Sequence, residues 1–128
     1  MGKALIVDDS KAIRMILGKI MREWGYETCE AANGREGLRV IESEKHAITL
    51  VLLDWNMPEM NGLEMVKELR QKPEYAAVKV IMVTTETEID HMVAALQAGA
   101  NEYVMKPFTK DILHEKLELV GIGPLGRE

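Results

Sequence analysis

Short apolar runs alternate five times along the chain with longer segments of helical periodicity. The runs cover residues 4–7, 26–31, 48–53, 78–83 and 103–105, and most are unbroken stretches of Val, Ile and Leu. Continuous apolar runs of this length are typical of parallel strands that are covered on both faces. The run at 26–31 instead alternates apolar and polar residues and the last run is short, so we expect both at the edges of the sheet.

The segments between these runs carry apolar residues at steps of three and four, which predicts five helices. Four of them end at or before a Gly or Pro, namely Gly25, Pro73, Gly99 and Gly121, and the second helix covers residues 35–44. The apolar residues expected on the inward faces of the first, fourth and fifth helices are Ile13, Ile16, Leu17, Ile20, Met21 and Trp24; Ile89, Met92, Val93 and Leu96; and Ile112, Leu113, Leu117 and Val120.

The strict alternation of strand and helix predicts one α/β domain, with a parallel sheet, helices on both faces and right-handed crossovers. For five strands we expect the doubly wound, flavodoxin-like order 2-1-3-4-5, in which the switch point lies between the first and third strands. The domain covers residues 1–120, and the Gly-rich residues 121–128 are expected to form a short flexible C-terminal tail. Ligands bind such sheets just beyond the carboxyl ends of the strands, so the residues at those ends decide the function.

The composition excludes several classes of protein. The chain has 128 residues, of which 47% are hydrophobic and 29% are charged, as is usual for one globular domain. Its net charge of -5 argues against nucleic-acid binding, and no apolar run approaches the roughly 18 residues of a membrane-spanning helix. The N-terminus has no secretory signal, and Cys29 is the only cysteine, so we expect a reducing, cytoplasmic location.

Acidic, hydroxyl and basic side chains follow four of the predicted strands. Asp8 and Asp9 follow the first strand and Asp54 the third, so the expected strand order brings three carboxylates together. Carboxylates this close raise each other's pKa unless a cation lies among them, and oxygen ligands of this kind suit Mg²⁺. Thr84 and Lys106, at the ends of the fourth and fifth strands, add a hydroxyl and an ammonium suited to phosphate oxygens. This set of residues indicates phosphoryl transfer, with Asp54 as the nucleophile.

Four motifs at these strand ends resemble those of the receiver domains of two-component response regulators. They are Val-Asp-Asp-Ser at residues 7–10, Asp-Trp-Asn-Met-Pro-Glu-Met-Asn-Gly at 54–62, Val-Thr-Thr at 83–85 and Lys-Pro-Phe-Thr at 106–109. Each motif is weak evidence by itself, but all four in order on the expected strand ends are highly specific. The resemblance covers residues 3 to about 120.

The resemblance implies roles for the residues that handle the phosphoryl group and the metal. Asp54 would be the phospho-acceptor, and Asp8, Asp9 and Asp54 would hold Mg²⁺ together with the backbone carbonyl of Asn56. Lys106 would contact the phosphoryl group, as would Thr84. The peptide bond from Lys106 to Pro107 is expected to be cis.

The resemblance also implies how the signal is passed on. Thr84 and Tyr103 would form the switch, in which Thr84 moves toward the phosphoryl group and Tyr103 turns inward into the vacated space. The partner surface would lie on the fourth helix, the fifth strand and the fifth helix. Its candidate exposed residues are His91, Gln97, Tyr103, Lys110 and Lys116. Where many relatives have Asp-Gly before the third helix, this chain has Asn61-Gly62, for which we expect the same tight turn with a positive φ.

The function that follows from the resemblance is a phosphorylation-dependent signalling switch. A histidine kinase would supply the phosphoryl group, and the output would be binding to a downstream target protein, without nucleic acid and without membrane insertion. The protein would not be an enzyme beyond its own phosphotransfer and dephosphorylation. Within the family, the motifs are most similar to those of stand-alone chemotaxis regulators, and the flagellar motor switch is therefore a candidate target.

Other interpretations of the same residues remain open at this point. Asp8 and Asp9, which precede Ser10, could cap the first helix, alone or together with metal binding. Two other classes are disfavoured. A flavodoxin-like electron carrier would need a hydroxyl- and Gly-rich phosphate loop where this chain has Asp8 and Asp9, which would repel the phosphate. A dehalogenase-type phosphatase would carry its nucleophile on the first strand in an Asp-x-Asp motif. The main alternative is a receiver-like interaction module, acting in a phosphorelay or as a scaffold that needs no phosphorylation.

Overall fold

A computed structural model describes residues 2–125 and contains one parallel sheet with the order β2-β1-β3-β4-β5. Both the predicted strand order and the edge positions of the second and fifth strands are thereby confirmed. Each predicted strand agrees with the observed one to within one residue at either end. The strands are β1 at Lys3–Val7, β2 at Glu27–Ala31, β3 at Ile48–Leu53, β4 at Lys79–Thr84 and β5 at Glu102–Met105.

Five helices cover the two faces of the sheet: α1 at Lys11–Glu23, α2 at Gly34–Ser43, α3 at Gly62–Arg70, α4 at Ile89–Ala98 and α5 at Lys110–Leu119. Buried residues of α1 and α5 form one apolar core with one face of the sheet. Buried residues of α2, α3 and α4 form a second core with the other face. Among the described residues, no helix combines the length and the apolar character needed to cross a membrane.

The predicted inward faces of α1, α4 and α5 are wrong in part, because five of their apolar residues are exposed. Ile89 is the most open of these, with 73% of its surface exposed, and the others are Ile16, Val93, Leu96 and Ile112. Helical periodicity identifies an apolar stripe, but whether a neighbouring element covers the stripe depends on the packing. The only fully buried residue of α4 is the small Ala95, so this helix leaves much of its apolar surface toward solvent.

Gly62 begins α3, and its role differs from the expected turn with a positive φ. The preceding residue, Asn61, has a φ of -79° and caps the helix by accepting a hydrogen bond from the Glu64 N–H. The positive φ lies at Glu59 instead. Glycine is required at position 62 because a Cβ there would overlap the carbonyl oxygen of Asp54. The close approach of two backbone segments therefore explains this residue.

Part of the predicted tail contacts the domain. The Leu125 N–H donates to the carbonyl oxygen of Trp24 at 2.6 Å, and the Tyr26 hydroxyl donates to that of Gly123 at 3.1 Å. Residues 126–128 lie outside the described residues. The flexibility of the segment from residue 121 to 128 stays a prediction.

His114 in α5 stacks on Trp24, with the ring centroids 3.9 Å apart and the planes inclined by 17°. Its Nε2 atom is buried and has no hydrogen-bond partner among residues 2–125. Burial and the nearby Lys110 ammonium lower the pKa of His114 below its ordinary value. The folded protein therefore favours the neutral ring.

This environment predicts a loss of stability in acid that depends on His114. Above its unfolded pKa of about 6.5 the ring is neutral in both states. As the pH falls through that value, the unfolded chain binds a proton more readily than the folded one, so the free energy of unfolding decreases until the folded pKa is passed. His114→Phe keeps an aromatic ring against Trp24 but cannot bind a proton. Thermal melts should show the Tm of the wild type falling relative to this variant between about pH 7 and pH 5; parallel curves would contradict the prediction.

Candidate functional site

The three predicted carboxylates converge at the carboxyl ends of β1 and β3. Val7 pairs with Leu53 in the sheet, so the residues that follow them, Asp8 and Asp54, leave the sheet at the same level. The Asp54 N–H continues the ladder by donating to the Val7 carbonyl at 2.9 Å. Asp8, Asp9 and Asp54 each have a carboxylate oxygen within 4.8 Å of the other two. Asp8 and Asp54 are buried, whereas Asp9 is exposed.

Lys106 extends from the end of β5 into this cluster. Its Nζ lies 2.7 Å from Asp8 Oδ2 and 3.7 Å from Asp54 Oδ2, with 13% of the side chain exposed. Its backbone N–H donates to the Thr84 carbonyl at 2.9 Å, which fixes the start of the loop after β5. The Lys106–Pro107 peptide bond is cis, so that expectation is confirmed. The ammonium thus lies between the carboxylates of two different strands.

Asp54 is a buried carboxyl whose pKa is subject to opposing effects. Burial raises the pKa of Asp54, and the charge of Asp8 adds to this rise. The neighbouring Thr84 hydroxyl and the Lys106 ammonium both lower that pKa, as does the Trp55 N–H, which donates to Asp54 Oδ1 at 2.8 Å. Hydrogen bonds and a cation thus oppose the cost of burying this charge.

Asp8 and Asp9 do not cap α1. The cap is Ser10, whose hydroxyl oxygen accepts from the Ile13 N–H at 3.3 Å. Asp8 Oδ1 accepts from the N–H of Ser10 itself at 2.8 Å, which orients the carboxylate without satisfying a helical N–H group. Arg14 donates to the Asp8 carbonyl oxygen at 2.6 Å and holds the backbone in place. These contacts leave the Asp9 carboxylate free of a capping role.

The donor set fits a small divalent cation. Lys106 can balance only one of the three carboxylates, so negative charge remains at the site when all three are ionised. Carboxylate oxygens that leave room for water are the environment that Mg²⁺ prefers. The resemblance also implies a ligand from the backbone carbonyl of Asn56, an exposed residue two positions after Asp54.

Tyr103 differs from the expectation that it is exposed. Its side chain belongs to the apolar core formed with α3 and α4, and only 5% of the residue is exposed. The hydroxyl donates to the Glu86 carbonyl oxygen at 2.9 Å, and burial raises the pKa of Tyr103 to about 12, so the phenol remains a donor. We expect Tyr103 to turn inward when the domain is phosphorylated, but its side chain is already inward in the described structure. Thr84, its proposed partner in the switch, is fully buried.

Of the other residues predicted for the partner surface, Gln97 and Lys110 are exposed, whereas His91 and Lys116 are half-buried.

Sequence reasoning missed two residues next to the site, Trp55 and Glu86. Trp55 is buried beside Asp54, and the Glu86 N–H donates to Thr84 Oγ1 at 3.2 Å. Trp55 directly follows Asp54 in a motif that the sequence did single out, but no spacing rule points to Glu86.

The model of the response regulator receiver domain family matches residues 4–118. Chemotaxis protein CheY1 of Helicobacter pylori is 44% identical over 120 residues, which cover 92% of this chain and 95% of that protein. The chemotaxis protein CheY homolog of Campylobacter jejuni is 42% identical over 123 residues, or 94% of either chain. A structure of Vibrio cholerae chemotaxis protein CheY4 superposes with a TM-score of 0.85 at 35% identity, covering 94% of this chain and 98% of that one.

Proposed function

The chain belongs to the response regulator receiver domain family, and we propose that it is a CheY-like phosphorylation switch of a chemotaxis system. A histidine kinase supplies the phosphoryl group, Asp54 accepts it, and the modified domain binds a downstream target protein. The observation that carries this proposal is the convergence of Asp8, Asp54 and Lys106, from the ends of three strands, around one carboxylate nucleophile. The similarity to chemotaxis proteins over more than nine-tenths of their length supports the choice of pathway.

The chemistry assigned to Asp54 is an in-line displacement at phosphorus. A carboxylate oxygen of Asp54 forms the new O–P bond while the N–P bond of the donor phosphohistidine breaks, and the imidazole leaves with the bonding electron pair. Negative charge on the phosphoryl oxygens is stabilised by the ammonium of Lys106 and by the hydroxyl of Thr84. Lys106 already faces both Asp8 and Asp54, so a small movement brings its Nζ to a phosphoryl oxygen. Catalysis by the chain is limited, in this proposal, to its own phosphotransfer and dephosphorylation.

We assign Mg²⁺ to Asp8, Asp9, Asp54 and the backbone carbonyl of Asn56. When bound, the ion neutralises charge on the oxygens of the transferred group. Asp8 is held in place for this role by its hydrogen bonds to the Ser10 N–H and to Lys106. The exposed Asp9 supplies a carboxylate on the solvent side, where water ligands remain accessible.

The target protein is proposed to dock on α4, β5 and α5. Ile89, Val93 and Leu96 are exposed and lie at steps of four and three along α4, so they share one face of that helix. Ile112 in α5 is also exposed. Contiguous apolar surface of this kind marks protein interaction sites. A component of the flagellar motor switch is the candidate target, and the proposed location of the protein is the cytoplasm.

Phosphotransfer from a labelled chemotaxis histidine kinase tests the proposed function. With Mg²⁺ present, the label should move from the kinase to this chain, and one phosphoryl group per molecule should be found by mass spectrometry. After removal of divalent metal with EDTA, transfer should fall by about 100-fold or more, because the charge of the transferred group is then not balanced. Target binding that is equally tight with and without the phosphoryl group would instead establish an interaction module that needs no phosphorylation.

A further inference from the structure

Glu86, in the loop between β4 and α4, contacts both switch residues and also His91. Its N–H donates to the hydroxyl oxygen of Thr84 at 3.2 Å, and its carbonyl oxygen accepts from the Tyr103 hydroxyl at 2.9 Å. Its carboxylate oxygen Oε1 lies 2.9 Å from Nδ1 of His91. The position of this one loop residue is therefore linked to Thr84, to Tyr103 and to α4.

His91, in the first turn of α4, makes a second contact through the plane of its ring. It stacks on the indole of Trp55 with the centroids 4.8 Å apart and the planes inclined by 15°. Trp55 is buried and directly follows the acceptor, and its N–H donates to Asp54 Oδ1 at 2.8 Å. His91 thus joins the loop after β4 to the segment that carries the acceptor.

The charges around His91 strengthen its contact with the loop. The Glu86 carboxylate is the main cause of a raised pKa for His91, and the charges of Glu88 and Asp90 add to it. Glu88 Oε2 lies 3.7 Å from the other ring nitrogen, Nε2. The imidazole therefore has a carboxylate near each of its two nitrogens, and its plane stacks on the neutral indole of Trp55.

We propose that His91 is a positioning residue that holds the loop at residues 85–88, with Tyr103 inward, against Trp55. This inference rests on the proposed function and deepens it, because it names a residue that links the acceptor to the partner surface. His91 touches neither metal ligand side chains nor the phosphoryl group in this scheme; it acts through Glu86 and Trp55. A phosphoryl group that binds best to one loop arrangement should bind more weakly once that arrangement is less populated.

Beryllofluoride, which mimics a phosphoryl group, allows a direct measurement of this coupling. His91→Ala removes both contacts, His91→Phe keeps a ring against Trp55 without the bond to Glu86, and His91→Asn keeps a donor near Nδ1 without the stack. His46→Ala, at an exposed histidine just before β3, is the matched control. Titration of each protein with beryllofluoride in Mg²⁺, and separately with Mg²⁺ alone, gives two affinities.

We expect His91→Ala to weaken beryllofluoride binding about fivefold, within the usual range of coupling between sites, and to leave the affinity for Mg²⁺ alone within about twofold. His91→Phe and His91→Asn should each restore part of the loss. In NMR spectra, the response of the Tyr103 and Glu86 signals to beryllofluoride should shrink in the Ala variant, while signals of the Asp8 segment still respond. The control should match the wild type.

Two results would overturn the inference. The first is that all three His91 variants, each shown by its Tm to be folded, bind beryllofluoride as tightly as the wild type and show the full NMR response of Tyr103. The second is complete restoration by either Phe or Asn alone, since the proposal requires both contacts. A wild-type protein that does not bind beryllofluoride with Mg²⁺ would refute the proposed function itself, and the inference about His91 with it.

Discussion

Asp54→Asn is expected to abolish phosphorylation while leaving the metal-free domain at least as stable as the wild type. The amide has the shape of the carboxylate but is not a nucleophile at neutral pH, so no O–P bond can form. Its oxygen can still accept the hydrogen bond from the Trp55 N–H. Burial raises the pKa of Asp54, which means that the ionised form is disfavoured in the folded protein; removing that charge should maintain or raise the Tm.

The measurement is the transfer of label from a phosphorylated kinase or from labelled acetyl phosphate, together with a thermal melt of each protein. Asp111→Asn, which removes an exposed carboxylate from the first turn of α5, serves as the control and should be labelled like the wild type. Label retained in Asp54→Asn would identify another acceptor. A clearly lower Tm in this variant would mean that the ion pair with Lys106, at 3.7 Å, contributes more than the burial of the charge costs.

The sequence was sufficient to place the acidic site because that site depends on strand order and on strand ends. Continuous apolar runs predict buried parallel strands, and the residue after each run is then confined to one edge of the sheet. Asp8 and Asp54 meet because β1 and β3 are neighbours, and Lys106 reaches them from β5 across the end of β4. The places where the apolar runs end, together with the strand order, thus determine which side chains converge.

The partner surface and the switch could not be predicted in the same way. The apolar residues of α4 have the spacing of a buried helix face. A helix face that binds a partner protein shows the same spacing as a face that packs on the core, so the sequence does not distinguish the two. The inward position of Tyr103 depends on a loop carbonyl that accepts its hydroxyl, and a backbone group leaves no trace in the sequence. The stacking of His91 on Trp55 likewise joins residues far apart in the chain.

The sequence singled out Gly62 correctly but suggested the wrong reason for a glycine there, namely a turn with a positive φ. Its N–H donates to the Trp55 carbonyl at 2.9 Å, so the start of α3 lies directly against the backbone of the acceptor segment. A Cβ at this position would overlap the Asp54 carbonyl oxygen and approach the Cα of Trp55 to 3.0 Å. Backbone atoms that directly follow a buried strand cannot move aside as the end of a flexible side chain can. Any larger residue must therefore displace either α3 or the acceptor.

Gly62→Ala is accordingly expected to lower the free energy of unfolding by about 3 kcal/mol, at the upper end of the usual cost of overpacking. Because the displaced segment carries Asp54, the rate of phosphorylation of the folded fraction should fall by about 100-fold, as for other misplacements of reacting groups by about 1 Å. Gly37→Ala is the matched control: it is also a buried helical glycine, but the nearest atom to its added Cβ is the flexible end of Met65. Urea denaturation and phosphotransfer should show little change in the control, since Met65 can shift and alanine favours the helix. If Gly62→Ala were as stable and as rapidly phosphorylated as Gly37→Ala, the close approach of α3 to Asp54 would not be what positions the acceptor.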